Sequence, residues 1–300
     1  MAVCILALGF ASLAAPAQTK QISHDVSSFD CLNVDFDFDV RVVEARKPSV
    51  SLNVDNELKD LVQTYVKNHT LYITLDQKKL PSDLRKLFKS RRSKGPVLEA
   101  TVYISEPLTA VKLAGASILT VTPDIECKEF RIDLEDNARI ERLTVDAGTV
   151  TVNASDKSFA DIVLYADEIK INSSGSSVIG LDQDSEKLAI VAGGSSEVRM
   201  EGETLDADLT VSGTSKATLA GKTNKLAVTG SGFTNVDAIN LKASECTAKL
   251  SGNCKVYEAA TETIHVDISG NSTLVFDGDP VVDIISVKSS TLQRYNNAKR

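Results

Sequence analysis

Leu209-Thr210-Val211-Ser212-Gly213-Thr214-Ser215 and Val266-Asp267-Ile268-Ser269-Gly270-Asn271-Ser272 are near-copies of one phrase. In each, apolar residues stand at alternate positions, a glycine follows, and a small polar residue comes two places later. Period-two alternation marks a strand with one buried face. The glycine marks a bend, because it enters φ > 0 without steric penalty. Hydroxyls beside it can bond to nearby backbone groups. Taking one such corner per repeat gives Gly115, Asp136, Ala154, Gly175, Gly194, Gly213, Gly230, Gly252, Gly270 and Ser289, in steps of 17 to 22 residues. Four places before each stand Val111, Ile132, Val150, Ile171, Ile190, Leu209, Leu226, Ala248, Val266 and Ile285, an unbroken apolar column.

A repeat of about 19 residues is too short for a strand, a crossover helix and two turns, since a parallel crossover by a helix needs a dozen or more residues by itself. It suits two or three short strands per coil. One coil cannot bury its own apolar face, so coils must stack. The expected fold is an all-β, right-handed parallel β-helix or solenoid over residues 111–300. The hand follows the general handedness of parallel crossovers. Ten rungs at about 4.8 Å make a rod roughly 50 Å long. An antiparallel sandwich is the rival, but it requires neither a constant step nor a constant column. Composition agrees: 42% of residues are hydrophobic, only 5% are aromatic and Trp is absent. Val, Ile, Leu and Ala must fill the core, and these suit thin β-layers.

The N-terminus reads as an export signal over residues 1–17. Val3 to Leu13 are almost all apolar, and Ala15-Pro16-Ala17 fits a small-x-small cleavage site. No other stretch approaches the ~20 apolar residues that span a bilayer. Residues 18–110 read as a β-rich segment that caps the open end of the solenoid, whose strand edges would otherwise invite aggregation. Strands are expected at Cys31 to Val43, Val50 to Val54, Thr70 to Leu75 and Leu98 to Ile104. Leu58, Leu61, Val62, Tyr65 and Val66 have helical spacing, with Asn56 placed as a cap.

The net charge is −8, but residues 78–96 carry eight lysines and arginines against Asp83 alone. The acidic remainder argues against nucleic-acid binding, which needs a basic face. The insertion reads as a loop with a short helix capped by Ser82. Arg85, Lys86, Lys89, Arg91 and Arg92 are the candidate contacts for an anionic partner such as lipopolysaccharide phosphate or an acidic glycan. Asp35, Asp37 and Asp39 alternate with apolar residues, which would place them on one strand face about 6.7 Å apart. That is wide for one Ca²⁺, so no metal is expected there. Nor is a cofactor expected.

His24, His69 and His265 are scattered, and no nucleophile elbow, P-loop or HExxH occurs. Ser195, in Gly193-Gly194-Ser195-Ser196, reads as a corner residue. Cys31, Cys127, Cys246 and Cys254 match no zinc spacing. Export permits a disulfide, and free buried thiols are the plainer reading. A polysaccharide lyase or glycosidase would need long loops walling a cleft with paired carboxylates, and the steps leave little chain for walls. The chain therefore reads as a non-enzymatic module of the periplasm, outer-membrane surface or extracellular space. Its expected partner is a glycan, an envelope component or a protein, with an assembly role as the alternative.

Phe29-Asp30-Cys31-Leu32-Asn33-Val34, Val40-Arg41-Val42-Val43, Val50-Ser51-Leu52-Asn53-Val54, Leu71-Tyr72-Ile73 and Val102-Tyr103-Ile104-Ser105-Glu106-Pro107-Leu108, leading to Leu113-Ala114-Gly115-Ala116-Ser117, together resemble the auto-transporter adhesin head GIN domain family of exported Bacteroidetes proteins. The resemblance covers most of the mature chain. It implies an exported β-helical protein of adhesin type and brings no catalytic residues. The stretch 78–96 is longer and more basic than that family's pattern at this connection, so the resemblance implies no role for it.

Overall fold

The structure, a computed structural model, describes residues 19–89 and 95–295. The expected export signal lies outside them. The described residues form a β-solenoid of about ten turns. The chain enters through β1 (Thr19–Asp25) and lays down a rung as β2 (Cys31–Val34), a corner at Phe36, and β3 (Asp39–Glu44). It then leaves the stack for β4 (Ser49–Asp55), β5 (Val62–Lys67), β6 (Thr70–Leu75), α1 (Ser82–Lys89) and β7 (Leu98–Ile104). β6 and β7 return parallel to β2 and β3, with Leu71 beside Leu32 and Val102 beside Val42. Antiparallel strands cover this end: β5 pairs with β6, β4 with β7 and β1 with β4.

β8 (Ala110–Leu113) and β9 (Ile118–Val121) stack on the other side of β2 and β3. The column of rungs thus reaches back to Cys31. It continues through β10 (Ile125–Leu134), β11 (Arg139–Arg142), β12 (Thr144–Ala154), β13 (Phe159–Ser173), β14 (Val178–Ala192), β15 (Glu197–Val211) and β16 (Lys216–Gly232). β17 (Asn235–Gly252), β18 (Lys255–Ser269), β19 (Thr273–Asp277), β20 (Val281–Lys288) and β21 (Thr291–Arg294) complete it. Every pairing above β8 is parallel, as between Ile190 and Leu209.

The corners are what repeat most faithfully. Phe36, Gly115, Asp136, Asp156, Gly175, Gly194, Gly213, Gly232, Gly252, Gly270 and Ser289 all have φ between +50° and +93°. Two of these differ from the sequence reading: Asp156 replaces Ala154, and Gly232 replaces Gly230. From Gly115 onward the steps narrow to 18–21 residues. The apolar column changes with them, so that Val152 and Val228 stand where Val150 and Leu226 were expected. Leu71, Leu32, Val111, Ile132, Val152, Ile171, Ile190, Leu209, Val228, Ala248 and Val266 stack in register, all buried.

From Gly115 to Gly270 each corner hydrogen-bonds to the next. The residue after one corner donates its N–H to the previous corner's carbonyl, as Ser195 does to Gly175 and Thr214 to Gly194, both at 2.7 Å. Where aspartate holds the corner, its carboxylate also serves: Gly115 N donates to Asp136 Oδ2 at 3.1 Å. The bend turns a carbonyl inward, where burial requires a partner. At the Gly115, Gly175 and Gly270 corners the small residue two places on supplies it, whereas the hydroxyls of Ser158 and Thr234 at the same place have no hydrogen-bond partner. Ser117, Ser177 and Ser272 donate to the carbonyls of Ala114, Ser174 and Ser269 at 2.8, 2.8 and 2.9 Å.

The helix expected around Leu58 to Val66 is absent. Residues 56–61 form turns and β5 follows. Asn68 and His69, at φ +51° and +58°, join β5 to β6 by a tight hairpin. The same apolar spacing serves a strand that must pair with the edge of β6. Asp35 and Asp37 do not share a strand face with Asp39 either, because they flank the corner at Phe36.

Among the described residues one carboxylate is buried in the core. Glu258 is fully buried between Ala238 and Phe276 of adjacent rungs, and neither carboxylate oxygen has a hydrogen-bond partner. Burial pushes its pKa up to about 8. The nearby Cys246 thiol is pushed above the usual thiol range, first by burial and then by Glu258.

Two predictions follow from corner and core. Gly193 and Gly194 are neighbours, but only Gly194 has positive φ, and a Cβ on it would meet the Gly175 carbonyl oxygen at 2.8 Å. A Cβ on Gly193 would meet nothing nearer than Ser212 Oγ at 3.5 Å. Thermal unfolding should show Gly194→Ala destabilised by about 2–3 kcal/mol and Gly193→Ala changed by no more than about 0.5 kcal/mol. Glu258 takes up a proton on folding wherever pH lies between the ordinary carboxylate value and about 8. Stability should therefore fall by a few kcal/mol as pH rises through that window. In Glu258→Gln, denaturation midpoints should lose this slope.

Candidate binding surface

The interior is filled by one continuous cluster of buried side chains. Contacts with a partner must therefore be made on the outside of the rod. On the face carried by β2, β6, β8 and their successors, outward side chains form a row set by strand register. It runs Tyr65, Tyr72, Asn33, Lys112, Asp133, Asn153, Asn172. The two tyrosine rings stack at 5.0 Å with planes 13° apart. Lys112 Nζ donates to Glu135 at 2.7 Å. Arg131 grips Asp133 with two bonds of 2.7 and 2.8 Å. Asn153 Nδ2 donates to Asp133 at 2.8 Å, and Asn172 Nδ2 donates to Asn153 Oδ1 at 2.9 Å.

Each asparagine in this ladder keeps one N–H free, since an amide nitrogen has two. The ladder ends at the exposed Val191, which cannot donate to Asn172 Oδ1. Two shallow cavities open on this face. One of about 380 Å³ is lined by Asn153, Ser155, Asn172, Ser174 and Val191. The other, about 660 Å³, is lined by Lys128, Phe130, Arg131 and Thr151. A row of amides and hydroxyls at strand spacing, with an aromatic stack at one end, suits a hydroxyl-rich, extended ligand.

The basic insertion lies elsewhere. α1 stands between β6 and β7, where the other rungs have their corner, and packs over the corner below it. Phe88 meets Phe36 edge to face at 4.8 Å, while Leu80 and Leu84 are buried. Asp83 in the first turn suits the helix dipole. Arg85 is exposed but tied to the loop before the helix: its Nη2 donates to the Gln77 and Leu80 carbonyls at 2.9 and 3.2 Å. Lys86 is exposed. Lys89 ends the helix, its side chain outside the described residues, as are Arg91 and Arg92. A cavity of about 520 Å³ lies between Phe36, Asp37, Lys78, Leu80, Arg85 and Phe88. Burial, then the charge of Asp35, raises the pKa of Asp37, against a backbone hydrogen bond with Ala116 that lowers it.

Asp39 sits beside Glu99 of β7 in register, and Glu141 is also near. Burial and these two charges raise its pKa. Among the described residues no three His, Cys, Asp or Glu side chains are grouped to hold a metal ion. The histidines stay apart, His24 on Thr64 at 2.6 Å and His265 on Asp283 at 2.9 Å, with His69 in the hairpin. Ser195 Oγ pairs with Thr214 Oγ1 of the next rung at 2.7 Å. The four described cysteines are free. The tyrosine–asparagine row went unseen in the sequence because placing a corner at Ala154 shifts Asn153 out of line with Asn172.

Solved structures of low sequence identity are similar to the chain, and one with a TM-score above 0.5 shares its fold. One, described as a putative adhesin from Parabacteroides merdae, is 13% identical with a TM-score of 0.52, covering 93% of this chain and 97% of its own. Another, described as a putative lipid binding protein from Parabacteroides distasonis, is 14% identical with a TM-score of 0.48, over 93% and 97%. Comparison with curated proteins finds no match. A family model matches twice, over residues 28–183 and 162–280. These overlapping spans together take in every rung from β2 to β19, and the chain belongs to the family described as "Putative auto-transporter adhesin, head GIN domain".

Proposed function

We propose that this chain is an exported, non-enzymatic binding module that meets a glycan or other envelope component on the outer face of the β2–β8 sheet. The observation that carries the reading is the register-aligned row from Tyr65 to Asn172. It lies beside two cavities on a rod whose interior is full. Export rests on the apolar start and the Ala15-Pro16-Ala17 site. The adhesin description of the family agrees with it. Among the described residues, no helix is long and apolar enough to cross a membrane. From Gly115 onward, corner-to-corner steps of 18–21 residues leave no chain for the loops that wall a catalytic cleft.

A second reading places an anionic, amphiphilic partner at the insertion, where Lys78 and Arg85 border a cavity floored by Phe36 and Phe88. The two separate by mutation. Deleting residues 78–96 would remove the buried Leu80 and Leu84, so charge removal is the cleaner change. The mature chain should be screened against glycans and envelope extract alongside Asn153→Ala/Asn172→Ala and Lys78→Ala/Lys86→Ala. Loss of about tenfold or more in affinity is expected in the first pair only. Loss in the second pair alone moves the site to the insertion. Equal binding by all three proteins contradicts both placements.

A further inference from the structure

The two ends of the rod differ in chemistry. At the β1 end the outermost strands carry Lys20, His24, Asp25, Gln63, Thr64 and Lys67, the polar character that keeps an edge from pairing. At the other end β20 pairs with β18 alone among the described strands, leaving one backbone edge open. Ten large apolar side chains are exposed among the described residues, and four belong to β20: Val281 at 70%, Ile284 at 56%, Ile285 at 64% and Val287 at 37%. Scattered apolar exposure needs no explanation, but a cluster on an open strand edge does.

We propose that β20 is the interface through which two copies of this chain join tail to tail. The strand is self-complementary in charge. Run antiparallel against a second copy with Asp283 opposite the partner's Lys288, it sets Ile284 against the partner's Val287 and Ile285 against the partner's Ser286. This register also respects the faces. Ile284 and Val287 lie beside the inward Val266 and Ile268, while Asp283 lies beside the outward His265. In a regular strand, residues three apart point to opposite faces. Here the register slip at Ile285, with Val266 facing Ile284 and Asp267 facing Ser286, brings Ile284 and Val287 to one face. A two-fold pairing then buries apolar against apolar and matches opposite charges. Because the β1 end lacks a comparable edge, the assembly closes at two copies and builds no filament.

The test is the solution mass of the mature chain by light scattering and sedimentation at micromolar concentration. Twice the monomer mass is expected. Ile285→Lys, at a residue that is exposed and outside the β18 register, should return the monomer with an unchanged circular dichroism spectrum. Asp283→Lys and Lys288→Asp should each weaken the dimer about tenfold or more, and the double swap should restore it. A wild-type monomer overturns the proposal. So does a dimer that survives Ile285→Lys, or single swaps without effect.

Discussion

Everything in this rod hangs on the left-handed corner. An L-residue with a side chain resists positive φ, yet Phe36, Asp136, Asp156 and Ser289 adopt it alongside seven glycine corners. Stacking holds them there: each corner carbonyl from Gly115 to Gly252 accepts an N–H from the residue after the next corner. Neighbouring corners come so close that a Cβ on Gly175 would fall 2.7 Å from the Asp156 nitrogen. Glycine meets both demands at once in the middle of the rod. Asp136 and Asp156 meet them differently, tolerating left-handed backbone and offering carboxylates to corner N–H groups of the preceding rung. Bent backbone then turns carbonyls inward, and the buried serines follow from that. The apolar columns supply the driving force, at about 1.5–3 kcal/mol for each fully buried Val, Leu or Ile, but the corner sets their register.

Register also orders the surface. Glu168, Lys187, Asp206, Lys225 and Glu245 stand one above another on successive rungs, alternating in sign. Like charges in adjacent strands repel, so alternation is the arrangement a parallel stack tolerates best. The net charge of −8 conceals this order. The same stacking turns unremarkable residues such as Asn153 and Asn172 into a ladder. A functional face here is a property of register, which explains why it carries no motif.

The period was plain in the sequence because the corners are chemically marked and the column is apolar throughout. Register within the period was not. Thr229-Gly230-Ser231-Gly232 offers two glycines, and only the second bends. Gly230 lies in the apolar row, where a Cβ would crowd Leu250 and Cys254. At the other slip, Asp156 bends without any glycine to announce it. The first rung was hidden by the excursion between Phe36 and Gly115, which carries the end-covering strands and α1. The row that ends in Tyr65 and Tyr72 depended on that excursion's pairings, above all on reading Asn68-His69 as a hairpin turn. Local spacing around Leu58 to Val66 pointed to a helix, and the open edge of β6 decided for a strand.

In-register stacking of the corners can be tested by covalent capture. Ser195 and Thr214 touch across adjacent rungs, and strands there lie about 4.8 Å apart, within disulfide range. Phe233 lies one rung further. In Ser195→Cys/Thr214→Cys, mild oxidation should close an intramolecular disulfide in essentially every molecule, read by intact mass and peptide mapping. Ser195→Cys/Phe233→Cys should stay reduced under the same conditions. Failure of the first pair to close, or equal closure of the second, would contradict the stacked corner and the solenoid built on it.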